Sequence, residues 1–398
     1  MALLPVADAL SRILNSVDRL EQESISLHDA LGRVAAKDHK SNLTQPPFAA
    51  SAMDGYAVRY DDISAPLIVV GESQAGASFT GKMEKGQAVR IFTGAPMVDG
   101  ADTVVIQENI SRVGDEITIN DCKQKGSNIR KAGGDFMVDD VLVYSNTIID
   151  ARHIALLAAG NVAKIDVYHQ PKVAILSTGD ELLEVGSEIG PDKIVNSNVP
   201  MFMALVKEHG GIPVNLGTAK DTVEDVKNKI AEVKNVDIFV SIGGVSVGDY
   251  DIIQDVLKDA GLKVNFWKVA MQPGKPIVYG DFNGIHYFGM PGNPSSAYVC
   301  FANFMLPAMC KMQGIVQLGF KTSHAQLEHD LKAGGPRMNY MRAHYKENET
   351  GEKWVNATLT QSSANLKTLA RSNCLIVRDV DAPQGTIGDL VKIILIKS

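Results

Sequence analysis

Between residues 171 and 314, short apolar runs take turns with amphipathic stretches, and this alternation constrains the fold more than any other feature of the chain. "KVAILST" and "VDIFVSI" are too short for helices and too apolar for strands with one wet face. "NVPMFMALVKEHG", "DTVEDVKNKIAEV" and "DIIQDVLKDAG" carry helical text between them. Gly210 closes the first of these helices, and Asp221 suits the N-cap of the second. "IPVNLGT", "LKVNFWKVA" and "GIHYFGM" read as further strands, and "NPSSAYVCFANFMLPAMC" as a final helix. Strands and helices in this rhythm predict a mainly parallel sheet covered on both faces.

The flanks differ. Residues 1–40 read as helical, with Ala9, Leu10, Ile13, Leu14 and Val17 at helical spacing, until the prolines of "TQPPF" break the pattern. From 46 to 140 short apolar runs are cut by Gly, Asp and Asn, as in "PLIVVGE" and "DTVVIQEN". "ARHIALLAAGNVAKIDVY" (151–168) returns to helix, and residues 318–398 are β-rich again. The expected fold class is a multidomain α/β protein. Its parts are a discontinuous helical domain (1–45 and 141–170), an inserted β-rich domain (46–140), an α/β domain (171–314) and a C-terminal β-domain (318–398).

A net charge of −7 over 398 residues argues against a general nucleic-acid binder, which needs a basic face. It leaves room for a local anion held by a few cations and backbone N–H groups. No run approaches the roughly 18 apolar residues of a membrane span. The start lacks the basic region of a signal peptide. Cys122, Cys300, Cys310 and Cys374 are scattered without a CxxC pair, so a reducing cytoplasm is the expected location. The nine histidines show no zinc spacing, and neither GxSxG nor GxxxxGK[ST] occurs.

In open α/β sheets ligands bind outside the carboxyl ends of the strands. Three such ends carry unusual text: "LSTGDEL" (176–182), "SIGGVSVGDYD" (241–251) and "GMPGNPSS" (289–296). Each alone reads equally as a tight strand-to-helix turn with a cap. Three on one edge favour a ligand approached closely by backbone. Glu181, Asp221 and Asp251 lie among these loops. Carboxylates interleaved with anion loops point to Mg²⁺, which bridges phosphate oxygens through one or two carboxylates. Lys268 and Lys275 of "WKVAMQPGKP" are candidate cations nearby, or two solvated lysines. In the β-rich part, "SAMDGYAV", "IFTGAP" and "RKAGGD" place acids beside small loops, and Asp54 has an alternative reading as a turn cap.

Taken in order, "SAMDGYAV", "TGAP", "STGDEL", "GGVSVGDYD", "QPGKP" and "MPGNPSSA" resemble the molybdopterin molybdenumtransferase family, MoeA-like, which includes the E domain of gephyrin. "SSANLKTLARSNCLIV" (362–377) is similar to the family's C-terminal segment, and the resemblance covers nearly the whole chain. It implies a four-part subunit in a homodimer whose cleft is completed by the partner's β-domain. The implied reaction inserts molybdate into adenylylated molybdopterin with Mg²⁺ and releases AMP. Molybdopterin adenylyltransferase and molybdoenzyme apoproteins are the implied protein partners.

By the same resemblance the catalytic positions are Asp54, Thr93, Asp135, Glu181, Asp221, Asp251, Lys268 and Lys275. Glu181, Asp221 and Asp251 are the metal set. The cofactor-binding positions are Ser177, Thr178 and Gly179, then Gly243, Gly244, Ser246 and Gly248, then Pro291, Gly292, Asn293 and Ser295, with Arg342 and Ser363 from the C-terminal part. The chain departs from the family pattern at Gln272, where a lysine is usual. It departs again at Ser362–Leu366, where a histidine is missing. Two other functions fit parts of the pattern. One is a molybdopterin adenylyltransferase, which shares the α/β domain, and the other is a non-catalytic scaffold like gephyrin.

Overall fold

The computed structural model describes residues 3–244 and 252–396. The chain divides into two compact units: residues 24–31 with 37–166, and residues 1–23, 32–36 and 167–398.

The first of these units is built on a six-stranded sheet ordered Thr103–Ile106, Gly55–Val58, Gln87–Ile91, Leu67–Ser73, Glu116–Ile119, Ile110–Val113. Ala57, Val89, Ile91 and Val104 bury one face, and Tyr56, Val58, Ala88 and Val105 the other. The period-two alternation of these strands therefore feeds two small cores. The helix Ala151–Ala159 opens on a capping box. The Asp150 carboxylate accepts from the Arg152 and His153 N–H groups, while the Asp150 N–H donates to His153 Nδ1. It stops at Gly160 and Asn161, the latter left-handed at φ 56°, and Lys164–Tyr168 is a strand. The helical reading of 151–168 thus holds only for its first half, because "KIDVY" alternates with period two.

In the larger unit the helical expectation for residues 1–40 is corrected. The helix spans only Val6–Ser16, burying Ala9 and Ile13. Beyond Val17 the apolar period lapses, and Gln22–Ser26 is extended. The α/β sheet is ordered Ile212–Ala219, Lys172–Thr178, Ile238–Ile242, Ile285–Met290, Val278–Phe282, Leu262–Trp267. The first four are parallel, Val278–Phe282 runs against them, and Leu262–Trp267, antiparallel to that strand, runs with them again, so the sheet is mainly parallel as expected. Val173, Ile175, Val240 and Phe288 face one core; Ala174, Leu176, Phe239 and Tyr287 face the other. Burial on both faces is why these strands read as unbroken apolar runs. The strand Val278–Phe282 escaped the sequence reading. Its signal is Asn283-Gly284, both at positive φ, the turn of a two-residue hairpin.

The C-terminal strands Thr322–Leu327, Met338–Glu347, Lys353–Ala357, Cys374–Arg378 and Leu390–Leu395 close on themselves through the pairing of Met338–Glu347 with Cys374–Arg378. Met271–Gln272, leaving the α/β sheet, adds to this barrel in parallel with Met338 and Asn339. Among the described residues no helix is long and apolar enough to cross a membrane.

Gly55 of "MDGYAV" has a packing role. A Cβ there would lie 2.0 Å from the Val105 carbonyl oxygen of the neighbouring strand. Gly55→Ala is expected to destabilise this unit by about 1–3 kcal/mol, the scale of overpacking. Gly190→Ala, where a Cβ meets nothing within 4 Å, serves as control. Denaturant unfolding that leaves Gly55→Ala at wild-type stability would contradict the packing role.

Candidate active site

The carboxyl ends of the central strands border a cavity of about 700 Å³, within the range of small-molecule sites. Ser177 and Thr178 end the first strand there, and the Ser177 hydroxyl donates to the Ile242 carbonyl of the next strand at 3.3 Å. Gly179 follows at φ 146°, where a Cβ would come within 2.5 Å of the Glu181 carboxylate. Glycine therefore leaves the space in which that carboxylate lies, and both residues line the cavity.

Asp221 also lines it, and its role as a helix cap is corrected. The cap of Val223–Ala231 is Thr222, whose hydroxyl accepts from the Asp225 N–H at 3.3 Å. Asp221 instead exchanges two hydrogen bonds with the first loop. Its Oδ2 accepts from the Asp180 N–H at 3.3 Å, and its own N–H donates to Asp180 Oδ1 at 3.1 Å. The two loops hold each other, which brings Glu181 and Asp221 to one cavity.

Gly243, Gly244, Pro291, Gly292 and Asn293 complete the wall expected from the sequence. Ser246, Gly248 and Asp251 lie outside the described residues. Ser295 does not line the cavity. It is fully buried, its N–H donates to the Ser363 carbonyl at 3.1 Å, and its hydroxyl donates to the Asn365 carbonyl at 3.5 Å. The anion-binding reading of Ser295 is thus corrected to a tie between the helix start and the C-terminal segment. Its neighbour Ser296 is the residue that reaches the cavity.

Asn196 and Asn198 were missed by sequence reasoning. The Asn196 amide oxygen accepts from the Asn198 and Val199 N–H groups and so starts the helix Asn198–Glu208. Asn198 Nδ2 donates to the Gly292 carbonyl at 2.7 Å, while its Oδ1 is buried without a partner among the described residues. An orphaned buried acceptor in a cavity wall calls for a ligand donor. The sequence signal was the "NSN" ahead of the helix, which reads as a cap and hides the second asparagine.

A second cavity of about 250 Å³ shares Ser296 and Pro276 with the first. Its walls include Lys275, Arg337, Arg342 and Ser363, and none of its lining residues is acidic. Arg342 is fully buried. One of its Nη atoms donates to the Ser362 carbonyl at 3.2 Å, and its Nε has no partner. Burial pulls its pKa down from the usual arginine value, yet a guanidinium stays charged. Among the described residues, then, a buried cation faces an acid-free cavity with a donor unused. Lys268 belongs to neither cavity; it sits at φ 70° with its ammonium over the Trp267 ring, 3.8 Å from the centroid.

In the other unit, Asp54 Oδ1 accepts from both the N–H and the hydroxyl of Thr93, each at 2.7 Å. These bonds hold the Asp54 carboxyl below its ordinary value, with Arg90 adding a smaller attraction. Arg90, not singled out from sequence, stacks over Tyr56 and Phe92 at 5.0 and 4.9 Å. Asp135 lines a separate cavity of about 630 Å³ with Arg130, Lys131 and Phe48.

Three family models match consecutive parts of the chain: the MoeA N-terminal region (domain I and II) on residues 4–160, the probable molybdopterin binding domain on 174–311, and the MoeA C-terminal region (domain IV) on 324–396. The molybdopterin molybdenumtransferase of Haemophilus influenzae is 36% identical, covering 98% of this chain and 98% of that protein. That of a Nostoc species is 36% identical over 94% of this chain and 89% of its own length. The crystal structure of a molybdopterin biosynthesis MoeA protein from Pyrococcus horikoshii covers all of both chains with a TM-score of 0.84 at 28% identity. Matched from end to end by family models and by relatives of this similarity, the chain belongs to the MoeA-like molybdopterin molybdenumtransferase family.

Proposed function

We propose that the protein inserts molybdate into adenylylated molybdopterin and releases AMP, with the larger cavity taking the pterin nucleotide and the smaller one the oxyanion. The observation that carries this assignment is Arg342, a buried guanidinium whose Nε has no partner, in a cavity without carboxylates, among the described residues. A small dianion satisfies such a group through charge-assisted hydrogen bonds. The cavity is below the volume of a typical organic-ligand site. Because the cavities share Ser296 and Pro276, an oxyanion held by Arg342 and Lys275 lies next to a ligand in the larger one. An adenylyltransferase would need only the α/β sheet, whereas Arg342 and Ser363 come from the C-terminal part.

In the larger cavity, Asn198 Oδ1 accepts from an N–H of the ligand, and Gly243 and Gly292 allow its close approach. Glu181 and Asp221 fit Mg²⁺, since a pair of carboxylates completed by substrate phosphate is the usual Mg²⁺ environment. When bound, the ion offsets charge on the phosphates. Separation of acids from cations keeps the two anionic ligands apart until both are seated. The active assembly is a cytoplasmic homodimer in which Asp54, Thr93 and Asp135 serve the partner's cavity. Its product passes to molybdoenzyme apoproteins.

Three outcomes test this reading. Arg342→Met removes a desolvated charge while keeping an unbranched chain. Melting temperature should be equal or higher, because replacing buried ions by apolar groups is often neutral or stabilising by up to about 4 kcal/mol. Molybdate affinity should fall roughly thirtyfold or more, the scale of losing a buried charged partner. A destabilised variant with intact molybdate binding would make Arg342 a structural residue.

Thr93→Val removes the hydroxyl bond to Asp54 and leaves the backbone bond. The Asp54 pKa, now depressed, should rise part of the way toward its ordinary value. If ionised Asp54 is required, the acid limb of the pH–rate profile moves to higher pH, and an unmoved limb shows that Asp54 does not set it.

Mixing Asp54→Ala with Glu181→Ala subunits should restore roughly a quarter of wild-type activity, because random pairing gives about half the dimers one intact cleft. No recovery would place both acids in one subunit's site.

A further inference from the structure

Resting on the oxyanion assignment, we infer that Arg337 is a further cation of the smaller cavity and that Gln272 is the residue that positions it. Three observations lead there. Arg337 immediately precedes the barrel strand Met338–Glu347, and the Met338 N–H donates to the Ala270 carbonyl at 2.9 Å. The parallel register pairs Met271 with Met338 and Gln272 with Asn339, so the backbone at Arg337 is held beside the "MQPGKP" turn. One Nη of Arg337 then donates to Gln272 Oε1 at 3.0 Å, and both residues line the cavity.

The chemistry of that contact matters. A guanidinium carries five N–H donors in a fixed fork, and the amide oxygen engages one of its terminal nitrogens. Gln272 is neutral, so it aims the guanidinium without cancelling its charge. A carboxylate at 272 would hold Arg337 as well and neutralise it. A lysine at 272 would supply charge directly, but as a flexible point charge without the planar fork. Gln272 and Arg337 therefore act as one device in this chain. The positive charge reaches the cavity from the barrel, and the α/β side contributes only its orientation. The cavity thus has Arg342 buried within it, with Arg337 and Lys275 also in its walls, an arrangement suited to a doubly charged tetrahedral oxyanion.

The test is titration of molybdate into the full-length protein by calorimetry, with melting temperature measured beside it. Arg337→Gln should weaken binding roughly tenfold or more, the scale of one charge-assisted hydrogen bond. Gln272→Glu should weaken it similarly while melting temperature is held or raised, because the contact survives as an ion pair and only the free charge is lost. Adding Gln272→Lys to Arg337→Gln should recover most of the affinity. Wild-type affinity in Arg337→Gln or in Gln272→Glu overturns the inference, as does a lysine at 272 that restores nothing. If the wild-type protein binds no molybdate, the oxyanion assignment itself fails. Wild-type binding with an unaffected Arg337→Gln sinks the Arg337 claim alone.

Discussion

The parallel pairing of Met271–Gln272 with Met338–Asn339 is the contact on which the proposed site depends. It fastens the C-terminal barrel to a segment leaving the α/β sheet. A second tie, from the Ser295 N–H to the Ser363 carbonyl and from Asn293 Nδ2 to the Ser363 hydroxyl, fastens the barrel side to the start of the last helix. The first tie is anchored by the buried Met271 and the second by the buried Ser295, whose N–H burial obliges to pair. Between them they enclose the smaller cavity and set it against the larger one. Without them Arg342 and Ser363 would face solvent rather than the carboxyl edge of the sheet.

The two cavities divide charge between them. Glu181 and Asp221 belong to the larger, and Lys275, Arg337 and Arg342 to the smaller. Burying Arg342 without a carboxylate works against stability, since an uncompensated buried charge is costly. A protein selected for stability alone would place an apolar residue there. Along its strand Met341 and Ala343 pack on the barrel core while Arg342 alternates to the opposite, buried face, and a charge kept there makes sense if a ligand supplies the missing one. Asn198 Oδ1 follows the same logic on the other side, as an acceptor left for a ligand donor.

Much of this was legible in the sequence, and the exceptions have physical causes. The parallel sheet could be read because strands buried on both faces are continuously apolar. The loops "STGDEL" and "GMPGNPSS" could be read because glycine and small polar residues cluster where strands end. Asp221 was misassigned because Asp and Thr are both good caps and adjacent; only the Thr222 hydroxyl geometry decides between them. Ser295 was misassigned because a helix start looks open in sequence, while the barrel that covers it lies about seventy residues away. Arg337 carries no local signal and the cap-like "NSN" hides Asn198, since their partners Gln272 and Gly292 are distant in sequence. Residues 17–40 misled because scattered apolar residues in "RLEQESISLHDALGRV" do not distinguish a helix from short extended pieces. Ser246, Gly248 and Asp251 are outside the described residues, and their proposed roles stand on the motif alone.

The central claim is that an oxyanion binds at Arg342, beside the pterin cavity and away from Glu181 and Asp221. The most direct measurement is an anomalous difference map from crystals of the protein grown with tungstate, a heavy tetrahedral dianion of the same class as molybdate. The account predicts a peak in the smaller cavity within hydrogen-bonding reach of Arg342 Nε, with Lys275 and Ser363 around it. A peak confined to the larger cavity, or none in a crystal where the smaller cavity is open to solvent, would contradict it.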